Sequence, residues 1–327
     1  MMRFVFVGLL TVALSLTSVT AWCAEEKNLR VGFFPNVTHA QALIAQNMAA
    51  EGKGWFEARL PGVKIIWQSF NAGPSAMESL FAGAIDMTYV GPNPVLNAYL
   101  RSRGGVVAVS GAVRGGAGLV VPSGSSLRQP KDFRGKRIAT PQLGNTQDIA
   151  CREWLSQAGL KVGMTGGEAS VIPVANPGIL PLFIKGEIDA AWTVEPWVSR
   201  LEREGGGKLV YAEPAETSLT TVLAASAEFQ KRDADLARRF TAAHRELTEW
   251  ILRNPDEAQK RVAAELSRRM RREFPLDLVR HAWPRLVFEN ALTVKDFERN
   301  LAAARAAGFV KNEEFSLKGL AAAPAEK

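Results

Sequence analysis

The feature that most constrains the fold is a short pattern that occurs twice, about a hundred residues apart. The first copy is Leu80–Asp86 and the second is Leu182–Asp189, and each leads directly into an apolar stretch. Both copies have the pattern of a helix end, a glycine at a left-handed C-cap, and the Ile-Asp start of a short buried strand. Helix-start signals follow at Pro92 and Pro196. The repetition predicts two similar α/β lobes that hold a ligand between them.

The first residues of the chain predict its compartment. Arg3 is the only charged side chain before Glu25, and Phe4–Val19 is almost entirely apolar. This run is short for a membrane span, and no second run like it occurs in the sequence. We therefore predict a signal peptide at residues 1–24, cleaved near residues 21–24, and a periplasmic mature protein.

Composition narrows the classes of function. The chain has 2 cysteines and 3 histidines, and their spacing predicts neither a disulfide framework nor a zinc site. Cys151 lies in a helical pattern, and we interpret it as a buried packing thiol rather than a nucleophile. A net charge of +7 in an exported protein favours anionic ligands. We predict no metal, no cofactor and no nucleic-acid partner.

The mature chain is long enough for two domains, each with its own core. Strands alternate with helices over Leu29–Ser110, which predicts βαβ units and a mainly parallel sheet. The Gly-rich segment Arg114–Gly118 predicts the first crossing between the lobes. Leu209–Tyr211 and Thr220–Ala225 are predicted to return the chain to the first lobe, and the pattern beyond residue 227 is helical. The predicted lobes are a discontinuous first lobe at 29–118 and 217–320 and a second lobe at 119–216.

The sequence lacks the common catalytic signatures. It has no Gly-x-Ser-x-Gly elbow, no phosphate-binding Gly–Lys–Ser/Thr loop and no His-Glu-x-x-His pattern. Gly115–Gly118 is not a dinucleotide fingerprint, because no helix pattern follows it. These features argue against the common hydrolases and nucleotide-dependent enzymes.

Polar residues begin several helices directly after strands. In open α/β sheets such helix starts gather at the carboxyl ends of the strands, where ligands bind. A helix N-terminus carries free N–H donors and about half a positive charge, so several of them together form an anion site. Neutral Ser, Thr, Asn and Gln side chains add hydrogen bonds without burying a countercharge. The pattern suits a small, permanently ionised oxyanion, and it occurs at Asn36–His39, Gly73–Ser75, Gly91–Pro94 and Gly144–Gln147.

Each candidate at these helix starts also has a structural interpretation. The residues concerned can cap their own helices, and capping is compatible with a ligand contact because it leaves other donors free. His39 can donate to an anion from the first turn of its helix, or it can have a purely structural role. The capping interpretation applies to Ser75, Asn93, Asn145 and Thr146.

Residues near the predicted crossings are open to two interpretations as well. Arg114 can offer a bidentate fork to an anion, or it is an exposed hinge residue. Trp192 and Trp197 flank Glu195, so their rings can form an apolar wall while the carboxylate accepts a hydrogen bond from a ligand amine. The alternative for these three residues is ordinary core packing beside the crossing.

A family resemblance is carried by six segments, which are Val31–Asn36, Phe70–Ser75, Gly83–Asp86, Asp132–Ala139, Gly144–Thr146 and Trp192–Trp197. Together they resemble the periplasmic substrate-binding proteins of the nitrate/sulfonate/taurine class of ABC transporters. This class includes the aliphatic sulfonate-binding proteins and has pyrimidine-precursor relatives. The similarity spans nearly all of the mature chain.

The resemblance implies a two-lobed type II periplasmic binding protein fold, with a mainly parallel sheet in each lobe and helices at the C-terminus. A protein of this class closes on its solute by a hinge motion and delivers it to an ABC transporter permease in the inner membrane. We expect a monomer. Carried over position by position, the ligand-facing residues are Asn36, His39, Ser75, Asn93, Gly116, Asn145, Thr146, Trp192 and Glu195.

The first hypothesis is therefore a non-enzymatic receptor for a small organic anion, with an aliphatic sulfonate first and nitrate or taurine next. The alternative is a pyrimidine-precursor-type binding protein or an enzyme of the same fold, although the Cys-rich segment of those synthases has no counterpart here. A third hypothesis keeps the receptor but replaces the anion by a neutral heterocycle or aromatic compound that Trp192 and Trp197 recognise.

Overall fold

The chain forms two six-stranded sheets with helices packed on both faces. The computed structural model describes residues 26–322, so the predicted signal peptide at residues 1–24 lies outside the described residues and stays a prediction. Within residues 26–322 the strands are β1 Lys27–Phe33, β2 Val63–Ser69, β3 Met87–Val90, β4 Val106–Gly115, β5 Ala117–Pro122, β6 Arg137–Thr140, β7 Val162–Gly163, β8 Ala169–Pro173, β9 Ala190–Val194, β10 Gly207–Ala212, β11 Leu219–Ser226 and β12 Leu286–Phe288.

The helices divide into those between strands and a C-terminal group that begins after β11. Short 3-10 turns lie at Val37–His39, Pro130–Phe133 and Trp283–Arg285. The α-helices are α1 Ala40–Ala50, α2 Trp55–Arg59, α3 Gly73–Phe81, α4 Pro92–Ser102, α5 Thr146–Ser156, α6 Asn176–Ile184, α7 Trp197–Arg203, α8 Ala227–Arg232, α9 Ala234–Arg253, α10 Pro255–Met270, α11 Leu276–Ala282 and α12 Val294–Ala306.

The two sheets repeat one arrangement of strands. Their orders are β12-β4-β11-β3-β1-β2 and β10-β5-β9-β6-β8-β7. In the first sheet, β1 is parallel to β2 and β3, and β11 is antiparallel to β3 and β4. In the second sheet, β6 is parallel to β8 and β9, and β5 is antiparallel to β9 and β10. Strands β1–β4 of the first sheet run in one direction and β11 and β12 run in the other, so this sheet is mainly parallel, as predicted, with two antiparallel strands.

The repeated sequence pattern makes the same contacts in both lobes. In the first lobe, Asp86 N donates to Arg30 O at 2.9 Å and Arg30 N donates to an Asp86 carboxylate oxygen at 3.0 Å. In the second lobe, Asp189 N donates to Arg137 O at 2.9 Å and Arg137 N donates to an Asp189 carboxylate oxygen at 2.8 Å. Each aspartate therefore ties the start of its strand to the neighbouring parallel strand.

The glycines of the pattern adopt the predicted left-handed conformation. Gly83 follows α3 with φ +67° and Gly186 follows α6 with φ +70°. Only glycine adopts this region without steric cost, so both helices end where the sequence predicts. Helix starts follow both copies, at α4 and α7, and the prediction of two similar α/β lobes is confirmed.

The chain crosses between the sheets at Gly116 and again between β10 and β11. The predicted strand at Val106–Ser110 continues to Gly115, because β11 pairs with it over that whole length. The prediction that Leu209–Tyr211 returns the chain to the first lobe is wrong: these residues belong to β10, which pairs antiparallel with β5 in the second sheet. The elements α2, β7 and β12 are not predicted from the sequence.

Apolar side chains pack on both faces of the sheets. On one face of the first sheet, α1, α9 and α10 supply a core in which the Phe56 and Phe240 rings stack at 4.2 Å. On its other face, α3, α4 and α12 bury Phe297. Cys151 lies buried in the second lobe beside Phe133, and burial raises the pKa of its thiol, as expected of a packing residue. Within the described part of the chain, no helix combines the length and apolar character that a membrane crossing needs.

Candidate ligand-binding cleft

A small cavity lies where the two lobes meet. Its volume is about 20 Å³, so little free space is left between the lobes. Residues of both lobes line it, so the lobes stand close together in this structure. The lining includes Asn36, His39 and Gly73 from the first lobe and Asn145, Thr146 and Asn176 from the second.

Four α-helices begin at this cavity. Gly73 and Asn176 are the first residues of α3 and α6, while Gly91 and Asn145 are the N-caps of α4 and α5. All four line the cavity. Helix N-termini present unpaired N–H donors and a partial positive charge. Among the described residues that line the cavity there is no Lys, Arg, Asp or Glu, so its positive potential comes from these helix ends.

His39 is a neutral donor in this setting. Burial lowers its pKa to about 3, so the ring is uncharged at neutral pH. Phe34 N donates to His39 Nδ1 at 3.2 Å. The proton of the neutral ring is therefore on Nε2, which can donate to a ligand. The ring packs against that of Phe34, with 4.4 Å between the centroids.

Asn36 is oriented by the opposite lobe. Trp197 Nε1 donates to Asn36 Oδ1 at 2.8 Å. Because the amide oxygen is occupied, the NH₂ group of Asn36 is left as a donor at the cavity. The next residue also bridges the lobes, since Val37 N donates to Glu195 O at 3.1 Å. Asn71 adds a third bridge, with Nδ2 donating to Pro141 O at 3.2 Å.

Asn145 and Thr146 begin α5 in different roles. Asn145 caps the helix, and its Oδ1 accepts from Asp148 N at 2.8 Å. Thr146 is 6% exposed, and its hydroxyl has no hydrogen-bond partner among the described residues. The hydroxyl of Thr221 on β11, which also lines the cavity, likewise has none in the described chain. Buried hydroxyls are normally satisfied, so these two are suited to donate to a ligand.

The absence of a side chain at Gly91 lets the lobes approach. A Cβ atom at this position would lie closer to the Thr146 hydroxyl than real Cβ atoms come to their neighbours. Gly91 belongs to the first lobe and Thr146 to the second. A larger residue at position 91 would therefore hold the lobes apart.

Comparisons with known proteins identify the family. A model of the NMT1-like family matches residues 23–267. The chain belongs to the NMT1-like family. It is 21% identical over 248 residues to the taurine-binding periplasmic protein of Escherichia coli (strain K12), a match that covers 74% of this chain and 72% of the relative.

Solved structures share the fold of this NMT1-like chain. The alkanesulfonate-binding protein SsuA from Xanthomonas axonopodis pv. citri, bound to MOPS, matches with a TM-score of 0.72 and 22% identity, over 88% of this chain and 96% of that one. The periplasmic nitrate-binding protein NrtA from Synechocystis PCC 6803 matches with a TM-score of 0.71 and 13% identity, over 88% and 83% of the two chains. The predicted two-lobed periplasmic binding protein fold and the predicted family resemblance are confirmed.

Of the nine residues predicted to face a ligand, four line the cavity between the lobes in this NMT1-like chain: Asn36, His39, Asn145 and Thr146. Ser75 lies in the first turn of α3, where its hydroxyl donates to Ala72 O at 2.9 Å. Asn93 donates through Nδ2 to Asn300 O at 3.1 Å. The capping interpretation is wrong for Ser75, Asn93 and Thr146, because the N-caps of α3, α4 and α5 are Ala72, Gly91 and Asn145. As ligand contacts, all nine residues stay predictions.

The remaining predicted residues lie beside the cavity rather than on its lining. Gly116 joins β4 to β5 with φ +69°, and a Cβ there would meet the side chain of Leu286. Trp192 is buried, and its Nε1 donates to Glu213 Oε1 at 2.6 Å. Glu195 is fully buried at the end of β9, where it pairs with Arg285.

Glu195 and Arg285 form an ion pair between the lobes. Arg285 Nη1 donates to Glu195 Oε1 at 2.6 Å, and Ser199 N donates to Glu195 Oε2 at 3.0 Å. Burial raises the pKa of Glu195, and the Arg285 guanidinium opposes that rise. Arg285 also donates to Glu202 at 2.7 Å. Both carboxylate oxygens of Glu195 are thus occupied by protein donors.

Arg114 is neither an exposed hinge residue nor part of the cavity lining. Its guanidinium pairs with Glu289 and with Asp296, and its side chain is 11% exposed. The cavity is also lined by Asn71, Thr220 and Thr221, which the sequence does not single out as ligand-facing, and by Gln147 of the predicted segment Gly144–Gln147. Asn176, the first residue of α6, also lines the cavity. Thr220 and Thr221 follow a chain crossing, and no local pattern distinguishes them from other strand residues.

Proposed function

We propose that this protein is a periplasmic solute-binding receptor of an ABC importer that binds a small organic anion, with an aliphatic sulfonate as the first candidate and nitrate or taurine next. The observation that carries the proposal is the meeting of four α-helix starts, two from each lobe, at one cavity with an uncharged lining. Such a cavity favours a compact anion, and its described lining contains no carboxylate that could hold a metal ion.

The chemistry of the lining supports a permanently ionised oxyanion. The neutral donors of Asn36, His39 and Thr146 can hydrogen-bond the oxygens of such an anion without a full countercharge, whose burial would be costly. Burial lowers the pKa of His39 to about 3, so near neutral pH its uncharged ring adds a hydrogen-bond donor and no titrating charge. A sulfonate or nitrate group matches these donors because its oxygens only accept.

The proposed mechanism is closure of the lobes on the ligand. Asn36 and Asn71 bridge the lobes at the rim of the cavity, and the hydroxyls of Thr146 and Thr221 are left for the ligand. A bound anion would contact helix ends of both lobes at once and so favour the closed form over an open one. Delivery then requires a permease in the inner membrane, to which we expect a monomer to dock.

Names of relatives support the compartment and the class of ligand. The Escherichia coli relative is named a taurine-binding periplasmic protein, and the structural neighbours are named for alkanesulfonate and nitrate. We propose the same compartment for this chain, with the signal peptide at residues 1–24 removed near residues 21–24. The same names support a binding protein over an enzyme.

The test is a ligand panel on the purified mature protein. Thermal-shift screening would compare alkanesulfonates, taurine, nitrate, carboxylates and pyrimidines, and titration calorimetry would measure the affinity of those that shift the melting temperature. We expect sulfonates or nitrate to stabilise the protein, and mass spectrometry to recover them unchanged. Stabilisation by pyrimidines alone, or conversion of any ligand to a product, would overturn the proposal.

A further inference from the structure

A second cavity lies between the lobes, next to the first. Its volume is about 130 Å³, and Thr146 lines both cavities. The second lobe forms one wall with α5, β9 and β10, and the first lobe forms the other with α4 and α12. Its position means that a ligand held between the lobes could occupy both cavities at once.

The lining of the second cavity is acidic, unlike that of the first. Glu153 on α5 and Glu213 after β10 both line it, together with the single cation Arg299 of α12. Glu153 accepts from Gln157 Nε2 at 3.2 Å, and Glu213 accepts from Trp192 Nε1 at 2.6 Å. Neither carboxylate forms an ion pair within residues 26–322. Burial raises the pKa of both carboxyls, and the Arg299 guanidinium opposes that rise.

Aromatic rings form the rest of the second-lobe wall. Trp154, Trp192 and Tyr211 all line the cavity. The Trp192 centroid lies 5.7 Å from that of Trp154 and 5.2 Å from that of Tyr211. Aromatic faces attract organic cations, and carboxylates beside them add a charge-assisted hydrogen bond to an N–H group.

We propose that the second cavity binds an organic ammonium group, as the positively charged end of a ligand whose anionic end occupies the cavity at the helix starts. This inference rests on the proposed function, because that function supplies the anion. Glu153 lies seven residues beyond Thr146 on α5, which is about 10 Å along a helix. The ligand is therefore a zwitterion with well-separated charges, longer than a two-carbon spacer allows.

The test compares matched pairs of probes on the wild-type protein. Ethane-, butane- and hexanesulfonate would be measured by titration calorimetry against the same molecules with a terminal amino group. We expect the amino group to improve affinity by about tenfold or more for the hexyl compound, the effect of one charge-assisted hydrogen bond, and to bring no gain for the ethyl compound. Equal affinities within the hexyl pair would overturn the inference.

Substitutions of Glu153 and Glu213 test whether the gain in affinity comes from the second cavity. Glu213→Gln and Glu153→Gln should each reduce the gain from the amino group and leave binding of plain hexanesulfonate unchanged. The matched control is Glu298→Gln, which changes an exposed carboxylate next to Arg299 that does not line the cavity. A gain that survives Glu213→Gln and Glu153→Gln together would also overturn the inference.

Hexylammonium, which carries no sulfonate, tests whether the bound ammonium group belongs to a free amine or to the tail of the anion. If it raises the melting temperature by itself and Glu213→Gln abolishes the effect, a free amine also binds the site. If it has no effect while the linked compound gains affinity, the tail of the anion is the source. Failure of every sulfonate and of nitrate to bind would contradict the proposed function, whereas binding without a gain from the amino group would contradict only the second subsite.

Discussion

At the scale of single residues, two threonine hydroxyls carry the strongest sign of a ligand. Thr146 and Thr221 are buried at the cavity, and neither hydroxyl has a partner among residues 26–322. A buried polar group without a partner costs about 1–3 kcal/mol. An anion that accepts from both hydroxyls would recover that free energy on binding.

Replacement of Thr146 by valine tests this directly. Thr146→Val keeps the shape and removes the hydroxyl, so we expect the affinity for the anion to fall about tenfold. The free energy of unfolding without ligand should not decrease, because the lost group made no hydrogen bond. Calorimetry and urea unfolding measure the two effects.

The control for Thr146→Val is Thr241→Val on α9. The Thr241 hydroxyl donates to Ala237 O within its own helix at 2.7 Å and lies outside the cavity lining. We expect its removal to leave the affinity unchanged. Unchanged affinity in both Thr146→Val and Thr221→Val would contradict the assignment of these hydroxyls to the ligand.

Two of the three histidines are buried as neutral rings. Burial lowers the pKa of His39 to about 3 and that of His244 to about 4. His244 is held between the Tyr89 hydroxyl at 3.0 Å and Gly111 O at 2.8 Å. In the unfolded chain both rings have a pKa near the usual value of about 6.5 and bind protons as the pH falls below it.

Acidification should therefore weaken the fold through these rings. Stability from each neutral ring is complete above pH 6.5 and is lost as the pH falls towards the folded pKa, by about 2 kcal/mol for each ring at pH 5. Proton NMR of the ring resonances checks the cause. We expect the signals of His39 and His244 to stay constant between pH 8 and pH 5. Titration of either ring near pH 6.5 would contradict the prediction.

At the scale of elements, the structure of the repeated pattern could be predicted because it depends on local interactions. A glycine at a helix end and an aspartate at a strand start act through their nearest neighbours, and both copies form as predicted. The same holds for the start of α5, where Asn145 caps the helix. Helix starts follow from short-range preferences, so the sequence could indicate three of the four that meet at the cavity, which are the starts of α3, α4 and α5.

Other parts of the site depend on contacts that the sequence does not reveal. Ser75 and Trp192 lie on predicted elements, yet the hydroxyl of Ser75 turns back to Ala72 O and the indole of Trp192 packs away from the first cavity. Arg285 meets Glu195 across 90 positions of sequence. Thr221 reaches the cavity only because β11 returns to the first sheet after the second crossing. The direction of a side chain and the pairing of residues that are far apart in sequence depend on tertiary packing, which a local sequence pattern does not reveal.

The start of α4 shows how one element limits the approach of the lobes. Gly91→Ala places a Cβ against the Thr146 hydroxyl of the opposite lobe. We expect the variant to fold normally and to bind the anion about tenfold more weakly or worse, because the closed form loses a charge-assisted hydrogen bond. Small-angle scattering with saturating ligand should show a larger radius of gyration than for the wild type.

Gly178→Ala on α6 is the matched control for Gly91→Ala. A Cβ at Gly178 makes only ordinary contact with Val174, and the residue lies outside the cavity lining. Alanine also favours a helix over glycine by about 1 kcal/mol, so this variant should be at least as stable as the wild type. Wild-type affinity in Gly91→Ala would contradict the close approach of the lobes.

At the scale of the whole molecule, the meeting of the two lobes places a buried carboxylate next to the cavity between them. Glu195 is fully buried, and it follows Val194, which lines the cavity. Its charge would repel an anion if it were not compensated. The compensation comes from Arg285, which belongs to the other lobe and is 24% exposed. Under the proposed closure of the lobes, ligand binding would therefore coincide with neutralisation of Glu195.

Removal of Arg285 should therefore weaken binding through Glu195. Arg285→Met leaves a buried charge without its partner, a loss that is strongly unfavourable in other proteins, so we expect affinity for the anion to fall at least about tenfold. In this variant the affinity should rise as the pH is lowered, because protonation of Glu195, whose pKa burial raises, removes the repulsive charge. Glu195→Gln in the same background should restore most of the affinity and abolish the pH dependence. A double variant that binds as weakly as Arg285→Met would show that Arg285 acts only through packing.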